Sequence, residues 1–157
     1  MKQLENKIAI VTGGTRGIGF STVEAFLQEG ATVILCGSRP ESAEKAVQAL
    51  KAQDPDAKVE GISPELSDYK SVKAAFDAVA EKYGRIDILV NNAGMSDATP
   101  FADYTPEQFR KVMDLNVNGM FNCTRAVTDR MAEQGSGVIL KTSSMVSICG
   151  QPSGVGD

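Results

Sequence analysis

Thr12-Gly13-Gly14-Thr15-Arg16-Gly17-Ile18-Gly19, TGGTRGIG, separates two segments of different periodicity. Before it, KIAIVTGG (7–14) is an apolar, β-branched run closed by glycines, the pattern of a buried strand. After it, 17–29 carries Ile18, Val23, Ala25, Phe26 and Leu27 and stops at Gly30, the pattern of an amphipathic helix with a glycine C-cap. A strand feeding a helix through so short a turn needs backbone freedom, which Gly13, Gly14 and Gly17 supply. Gly19, one residue inside the helix, lets the helix approach the strand closely. The first N–H groups of such a helix have no intrahelical acceptor and sit at its positive dipole end, so they suit a diphosphate. The glycines are not spaced as a P-loop and no Gly-Lys-Ser/Thr follows, which speaks against a triphosphatase.

The same alternation continues along the chain. ATVILCG (31–37), KVEGI (58–62), IDILVNNAG (86–94) and GVILKTSS (137–144) read as further strands. Between them, Ala43, Ala46, Val47 and Leu50 share one helix face over 41–52, and Val72, Phe76, Val79 and Tyr83 share another before Gly84. YTPEQF opens a helix, with Thr105 as N-cap, Pro106 in the first turn and Gln108 at the capping-box position. Its stripe, through Phe109, Val112, Met113, Asn116, Met120 and Val127, predicts a continuous helix to about residue 133.

Strands alternating with helices give an α/β, Rossmann-like doubly wound parallel sheet of about five strands in one domain, 1–157. Near-continuous apolar runs predict strands covered on both faces. In such sheets ligands bind at the carboxyl ends of the strands. Those ends are TGGTRGIG, CGSR, NNAG and TSS.

Composition narrows the chemistry. The 157 residues are 42% hydrophobic, carry a net charge of −4 and include no histidine. Hydrolysis through a histidine base and histidine-ligated metals are therefore excluded. Cys36, Cys123 and Cys149 are odd in number and fit no zinc spacing, so no metal is predicted. Dispersed basic residues on an acidic chain predict no nucleic-acid partner. No apolar run is long enough to cross a bilayer, and MKQLENK lacks the apolar segment of a signal peptide, so a cytoplasmic protein without a membrane partner is predicted.

The second strand ends Cys36-Gly37-Ser38-Arg39, without the carboxylate that would hold both ribose hydroxyls and repel a 2′-phosphate. With Arg16 in the glycine turn, this favours NADP(H) over NAD(H).

TGGTRGIG at 12–19, NNAG at 91–94, NVNG at 116–119 and the serine of TSSM at 142–145 together resemble the short-chain dehydrogenase/reductase family, most nearly its 3-oxoacyl-[acyl-carrier-protein] reductase and sugar or alcohol dehydrogenase members. The resemblance implies an NADP(H)-dependent oxidoreductase that moves hydride between cofactor and a small-molecule carbonyl/alcohol pair. It assigns the phosphate turn to Gly13, Gly14, Gly17 and Gly19, with Thr15, Arg16 and Ile18. It assigns the 2′-phosphate to Ser38 and Arg39, and the adenine edge to Glu65 and Leu66. Asn92, Ala93 and Gly94 would line the ribose and nicotinamide side. Asn116 matches an asparagine that holds a proton-relay water; the alternative is an amide satisfied by backbone groups in a packed helix. Ser144 matches the serine that orients the substrate oxygen, and alternation sends Ser143 to the other face.

The family's acid is a tyrosine, which this spacing puts at Asp157, and its lysine lies beyond. Tyr69, Tyr83 and Tyr104 lack the required context. Aspartate, with a reference pKa of about 4, is a poor proton donor at neutral pH. The expectation is that this chain is a truncated portion, not itself catalytic. The alternative is a non-catalytic dinucleotide-binding module or a fragment. An uncovered fifth strand would also favour self-association. Met95, the 95–103 loop, Met145 and Gly150 to Pro152 are expected to form one wall of a substrate pocket.

Overall fold

A computed structural model of the chain describes residues 2–144. The elements run β1 (Ile8–Thr12), α1 (Gly17–Gln28), β2 (Thr32–Cys36), α2 (Pro40–Gln53), β3 (Val59–Ile62), α3 (Tyr69–Tyr83), β4 (Ile88–Asn91), a 3₁₀ turn (Phe101–Asp103), α4 (Pro106–Met113), a π-helical turn (Asp114–Gly119), α5 (Met120–Glu133) and β5 (Val138–Lys141). The strands form one sheet in the order β3-β2-β1-β4-β5, and every pairing is parallel. The chain steps outward from β1 to β3, returns beside β1 as β4 and steps outward again. The reversal between β1 and β4 opens a crevice at the strands' carboxyl ends.

Alternation along β1 feeds two cores. Ile8 and Ile10 join Ile34 and Leu89 under α3 and α5, against Val72, Phe76, Cys123 and Val127. Ala9 and Val11 join Val33, Leu35 and Val90 under α1 and α2, against Val23, Ala43, Ala46 and Leu50. All residues of β1 and β4 are buried, as the sequence predicts for strands covered on both faces. Each such Val, Ile or Leu contributes about 1.5–3 kcal/mol relative to exposure. Helix ends follow their predicted signals. Gly84 closes α3 at φ +76°, and Thr105 accepts from the Gln108 N–H while Gln108 reaches back to the Thr105 N–H.

One expectation holds and one is corrected. β5 reads as buried from its own apolar run, but it is the uncovered strand: Val138 is 51% and Leu140 47% exposed, with β5 at an edge of the sheet among the described residues. The helix expected over 106–133 is interrupted by the π-helical turn at Asp114–Gly119. Phe109 is 42% exposed, and the buried positions are Val112, Gly119, Asn122, Cys123, Val127 and Met131. Met113, Asn116 and Met120 keep helical spacing through this segment in the sequence although each is only half-buried, so the pattern does not mark the turn.

Candidate functional site

The glycine turn is held against the end of β4 by a hydroxyl. Thr12 Oγ1 donates to the Val90 carbonyl at 3.3 Å and accepts from the N–H groups of Asn92 and Ala93, both at 3.0 Å. Asn92 Nδ2 returns hydrogen bonds to the carbonyls of Thr12 (3.2 Å) and Gly13 (3.3 Å). Backbone crowding then fixes which residues can be used. Gly13 has φ +65°, and a Cβ there would lie 2.9 Å from Ala93 Cα. A Cβ on Gly19 would lie 2.1 Å from the Gly13 carbonyl oxygen. Gly14 packs inward instead, where a Cβ would meet Leu35 Cβ at 2.8 Å. Gly17 has φ +56° and nothing within 4 Å of a Cβ position, so its side of the turn is open.

α1 begins without a side-chain cap and without an acidic residue in its first turn. Its leading N–H groups therefore point to the crevice unanswered by any capping side chain, unlike those of α3 and α4, which Asp68 and Thr105 cap.

The crevice is a cleft of about 1050 Å³. Gly13, Thr15, Arg16, Gly17, Ile18 and Gly19 line it from the turn and Cys36, Gly37 and Ser38 from the end of β2. Pro64 to Ser67 follow β3, and Asn92, Ala93, Gly94 and Met95 follow β4. Most residues assigned to the cofactor from sequence thus share one cavity. Gly14 lies behind it. Arg39 is exposed at the N-cap of α2, its backbone bonded to Ser42, and is not among the lining residues. Glu65 does line the cleft, with Oε1 accepting from Ser67 N (3.2 Å) and Ser67 Oγ (2.8 Å).

Asn116 lies behind the floor. Its Oδ1 accepts from the Met95 N–H at 2.9 Å and its Nδ2 donates to the Met95 carbonyl at 2.8 Å. A Cβ on Gly94 would lie 3.3 Å from that Oδ1. The amide therefore clamps the segment leaving β4. Ser144 is exposed beyond the end of β5 and outside the cleft lining, while Thr142 before it donates to Asn92 Oδ1 at 3.2 Å. Asp157, Met145 and Gly150 to Pro152 lie outside the described residues.

Sequence reasoning missed three contributors. Thr12 joins turn to floor, and its only sequence signal is its place at the end of the first strand. Asn122, buried in α5, donates to the Leu66 carbonyl at 2.9 Å and so holds the β3 end against the cleft. Glu107, Arg110, Lys111 and Asp114 form a further wall. No motif marks them, because charged residues at a helix surface read as ordinary solvated positions.

Two thiols lie near the cleft. Burial, and then the neighbouring Cys123, push the Cys36 thiol well above its usual range, and burial pushes Cys123 up to about 12. Neither offers a thiolate for chemistry at neutral pH. At the opposite end of the sheet, Asp87 is buried and accepts from Ile8 N (2.9 Å) and from Arg85. Burial raises its pKa, but the bonds to Arg85 and Ile8 and the charges of Arg85 and Lys7 outweigh that and hold it below the ordinary carboxylate range. Among the described residues no three His, Cys, Asp or Glu side chains cluster as metal ligands, and no helix is long and apolar enough to cross a membrane.

Residues 7–156 match the family model described as short chain dehydrogenase. The chain is 56% identical over 153 residues to a 3alpha-hydroxysteroid dehydrogenase of Mediterraneibacter gnavus, covering 98% of this chain and 61% of that protein. It is 37% identical over 150 residues to the 3-oxoacyl-[acyl-carrier-protein] reductase FabG of Thermotoga maritima, covering 96% and 60%. A crystal structure of NAD+-bound xylitol dehydrogenase superposes with a TM-score of 0.90 at 30% identity, over 97% of this chain and 58% of the other. The chain thus spans about three fifths of the length of the curated relatives it matches, 61% and 60% for these two.

Proposed function

This chain belongs to the short-chain dehydrogenase family, and on that premise we propose that it forms the dinucleotide-binding part of an NADP(H)-dependent oxidoreductase acting on a carbonyl/alcohol pair. The observation that carries the reading is the junction of α1 with the strand ends. Its leading N–H groups carry no capping side chain, and Gly19 stands where any Cβ would strike the Gly13 carbonyl. The residues present therefore fit a bound dinucleotide. The turn from Thr15 to Gly19 would hold the diphosphate. Arg16 and Ser38, both on the cleft wall with no carboxylate from the end of β2, favour a 2′-phosphate. Arg39, one residue further, would add charge from the rim. Glu65 and Leu66 would flank the adenine, and Asn92, Ala93 and Gly94 the ribose and nicotinamide.

The bound cofactor supplies or accepts the hydride. The chain's own part is to orient. Ser144 would donate a hydrogen bond to the substrate oxygen and favour the charge developing there. Asn116 would act from behind Gly94, keeping the floor in place as well as occupying the family's relay position. The 56% identity to a protein named 3alpha-hydroxysteroid dehydrogenase makes a secondary hydroxyl on an apolar, multi-ring substrate the reading to test first.

Titration of NADPH and NADH, followed by their own fluorescence, tests the cofactor reading. NADPH should bind about tenfold or more tightly than NADH, a difference of about 1.4 kcal/mol. Equal affinities would remove the NADP(H) preference, and no binding of either would remove the dinucleotide reading. Oxidation of a 3α-hydroxysteroid by the complete protein tests the substrate class.

A further inference from the structure

We propose that Asn122 is a positioning residue for the cofactor. From inside α5 it fixes the Leu66 backbone, and through it the cleft wall that meets the adenosine half of the dinucleotide. The inference rests on the dinucleotide reading above. The wall in question lies between β3, which ends at Ile62, and α3, which starts at Tyr69. Pro64 to Ser67 line the cleft. Within this segment the hydrogen bonds are short in sequence. The Glu65 N–H donates to Ser71 Oγ at 2.9 Å, six residues away, and the Asp68 N–H donates to the Glu65 carbonyl at 3.1 Å. Glu65 Oε1 takes the N–H and the hydroxyl of Ser67. Bonds of this reach give the segment its shape and leave its place over the sheet to a more distant partner.

That partner is α5. Asn122 is 7% exposed, and its Nδ2 donates to the Leu66 carbonyl at 2.9 Å across 56 residues of chain. Three residues earlier, Gly119 has an ordinary helical φ of −60°. A Cβ there would nonetheless lie 3.3 Å from Leu66 Cβ and 3.6 Å from the Leu66 carbonyl oxygen. Glycine at 119 thus serves close approach to Leu66 and not backbone torsion. Two residues beyond Asn122, Thr124 Oγ1 accepts from Asn91 Nδ2 at 3.1 Å, and Asn91 is the last residue of β4. Cys123 and Val127 hold the same helix in the core. One helix therefore grips both the wall after β3 and the end of β4, whose next residues line the cleft.

A buried amide on a helix costs free energy unless it is bonded. A leucine of similar volume would pack at 122 without that cost, so the amide is explained by the carbonyl it answers. A wall held in place before the ligand arrives need not be ordered on binding, and such preorganisation strengthens binding. Without the Asn122 bond the segment keeps its local turn and loses its reference to β4. The loss falls on the adenosine half. The junction of the glycine turn with Asn92 and Ala93 is built from Thr12 and Gly13 and uses no atom of α5.

Competition of adenosine 2′,5′-bisphosphate against NADPH, followed by NADPH fluorescence, reads the adenosine half. Asn122→Leu keeps the volume and removes the donor, and should weaken the bisphosphate about tenfold or more. Gly119→Ala presses a methyl group onto Leu66 and should weaken it about threefold or more, which decides the matter if the leucine variant does not fold. Val127→Ala removes core volume from the same helix, so its urea midpoint should fall while its bisphosphate affinity stays within about twofold of the parent. That contrast separates positioning from a merely structural role. Parental affinity in Asn122→Leu, or in Gly119→Ala where it alone folds, would overturn the inference, and so would an equal loss in Val127→Ala. NADPH binding that the bisphosphate cannot displace from the unaltered chain would overturn it too, and leave the dinucleotide reading standing. Absence of NADPH and NADH binding would overturn that reading and this inference with it.

Discussion

Asn116 and Met95 are joined by both atoms of one side-chain amide, Oδ1 taking the Met95 N–H at 2.9 Å and Nδ2 giving to the Met95 carbonyl at 2.8 Å. Only a side chain with donor and acceptor on adjacent atoms can do this. Asn116→Asp turns the donor into a second acceptor facing a carbonyl, whereas Asn116→Ala loses both bonds. The aspartate variant should be the more destabilised, by about 1–3 kcal/mol relative to the parent in urea unfolding. Equal stability of parent and aspartate variant would show that the pairing contributes nothing.

Gly19 has no room for a methyl group. With a Cβ 2.1 Å from the Gly13 carbonyl oxygen and 2.5 Å from Asn92 Nδ2, Gly19→Ala must push α1 away from the strand ends. The expected cost is about 1–3 kcal/mol of stability, with NADPH binding weakened more than tenfold. Gly17→Ala, where a Cβ meets nothing, should show only the smaller penalty of a positive φ. Similar losses at both positions would contradict the packing account.

Arg16 and Arg39 separate by position. Arg16 lines the cleft and Arg39 stands outside its lining. Arg16→Ala should reduce the NADPH-over-NADH preference about tenfold, and Arg39→Ala by less, measured as the ratio of dissociation constants. A larger effect at Arg39 would move the 2′-phosphate to the rim.

Asp87 predicts a pH dependence of stability. Its pKa is lowered in the folded protein, so it contributes stability above the unfolded aspartate value of about 3.9, and that contribution is lost as pH falls through the folded pKa. Urea midpoints measured from about pH 7 down to about pH 3 should therefore fall less steeply in Asp87→Asn than in the parent below about pH 4. Parallel profiles would show that Asp87 is not a source of the acid sensitivity.

Cys36 and Cys123 should resist alkylation. Both are buried, with pKa values pushed up by burial. In a Cys149→Ser background, iodoacetamide should label neither until denaturant is added, as read by intact mass. Rapid labelling of the folded chain would mean that the core under the cleft opens readily.

Much of this was legible in the sequence because it depended on local order. The strand–glycine turn–helix unit, the capping box of α4, and the convergence of TGGTRGIG and NNAG on one cleft all follow from short patterns and a parallel topology. What stayed hidden depended on geometry without a pattern. The π-helical turn falls where Met113, Asn116 and Met120 hold helical spacing in the sequence, so nothing there marks it. The exposure of β5 is a property of its neighbours, not of VILK. Arg110 and Lys111 become cleft residues only because α4 leans over the strand ends.

The bonds from Thr12 to Asn92 and Ala93 cross 80 and 81 residues of chain. β1 and β4 are neighbours in the sheet, yet β2, β3 and three helices are made between them. On a ribosome the glycine turn therefore emerges long before its floor does. Until residue 94 has been released and β4 has found β1, the phosphate-facing helix end has nothing beneath it. Such non-local closure is slow and comes late. Nucleotide binding in this chain should consequently serve as a marker for the completion of the central strand pair, appearing only after β4 has been made and has paired with β1.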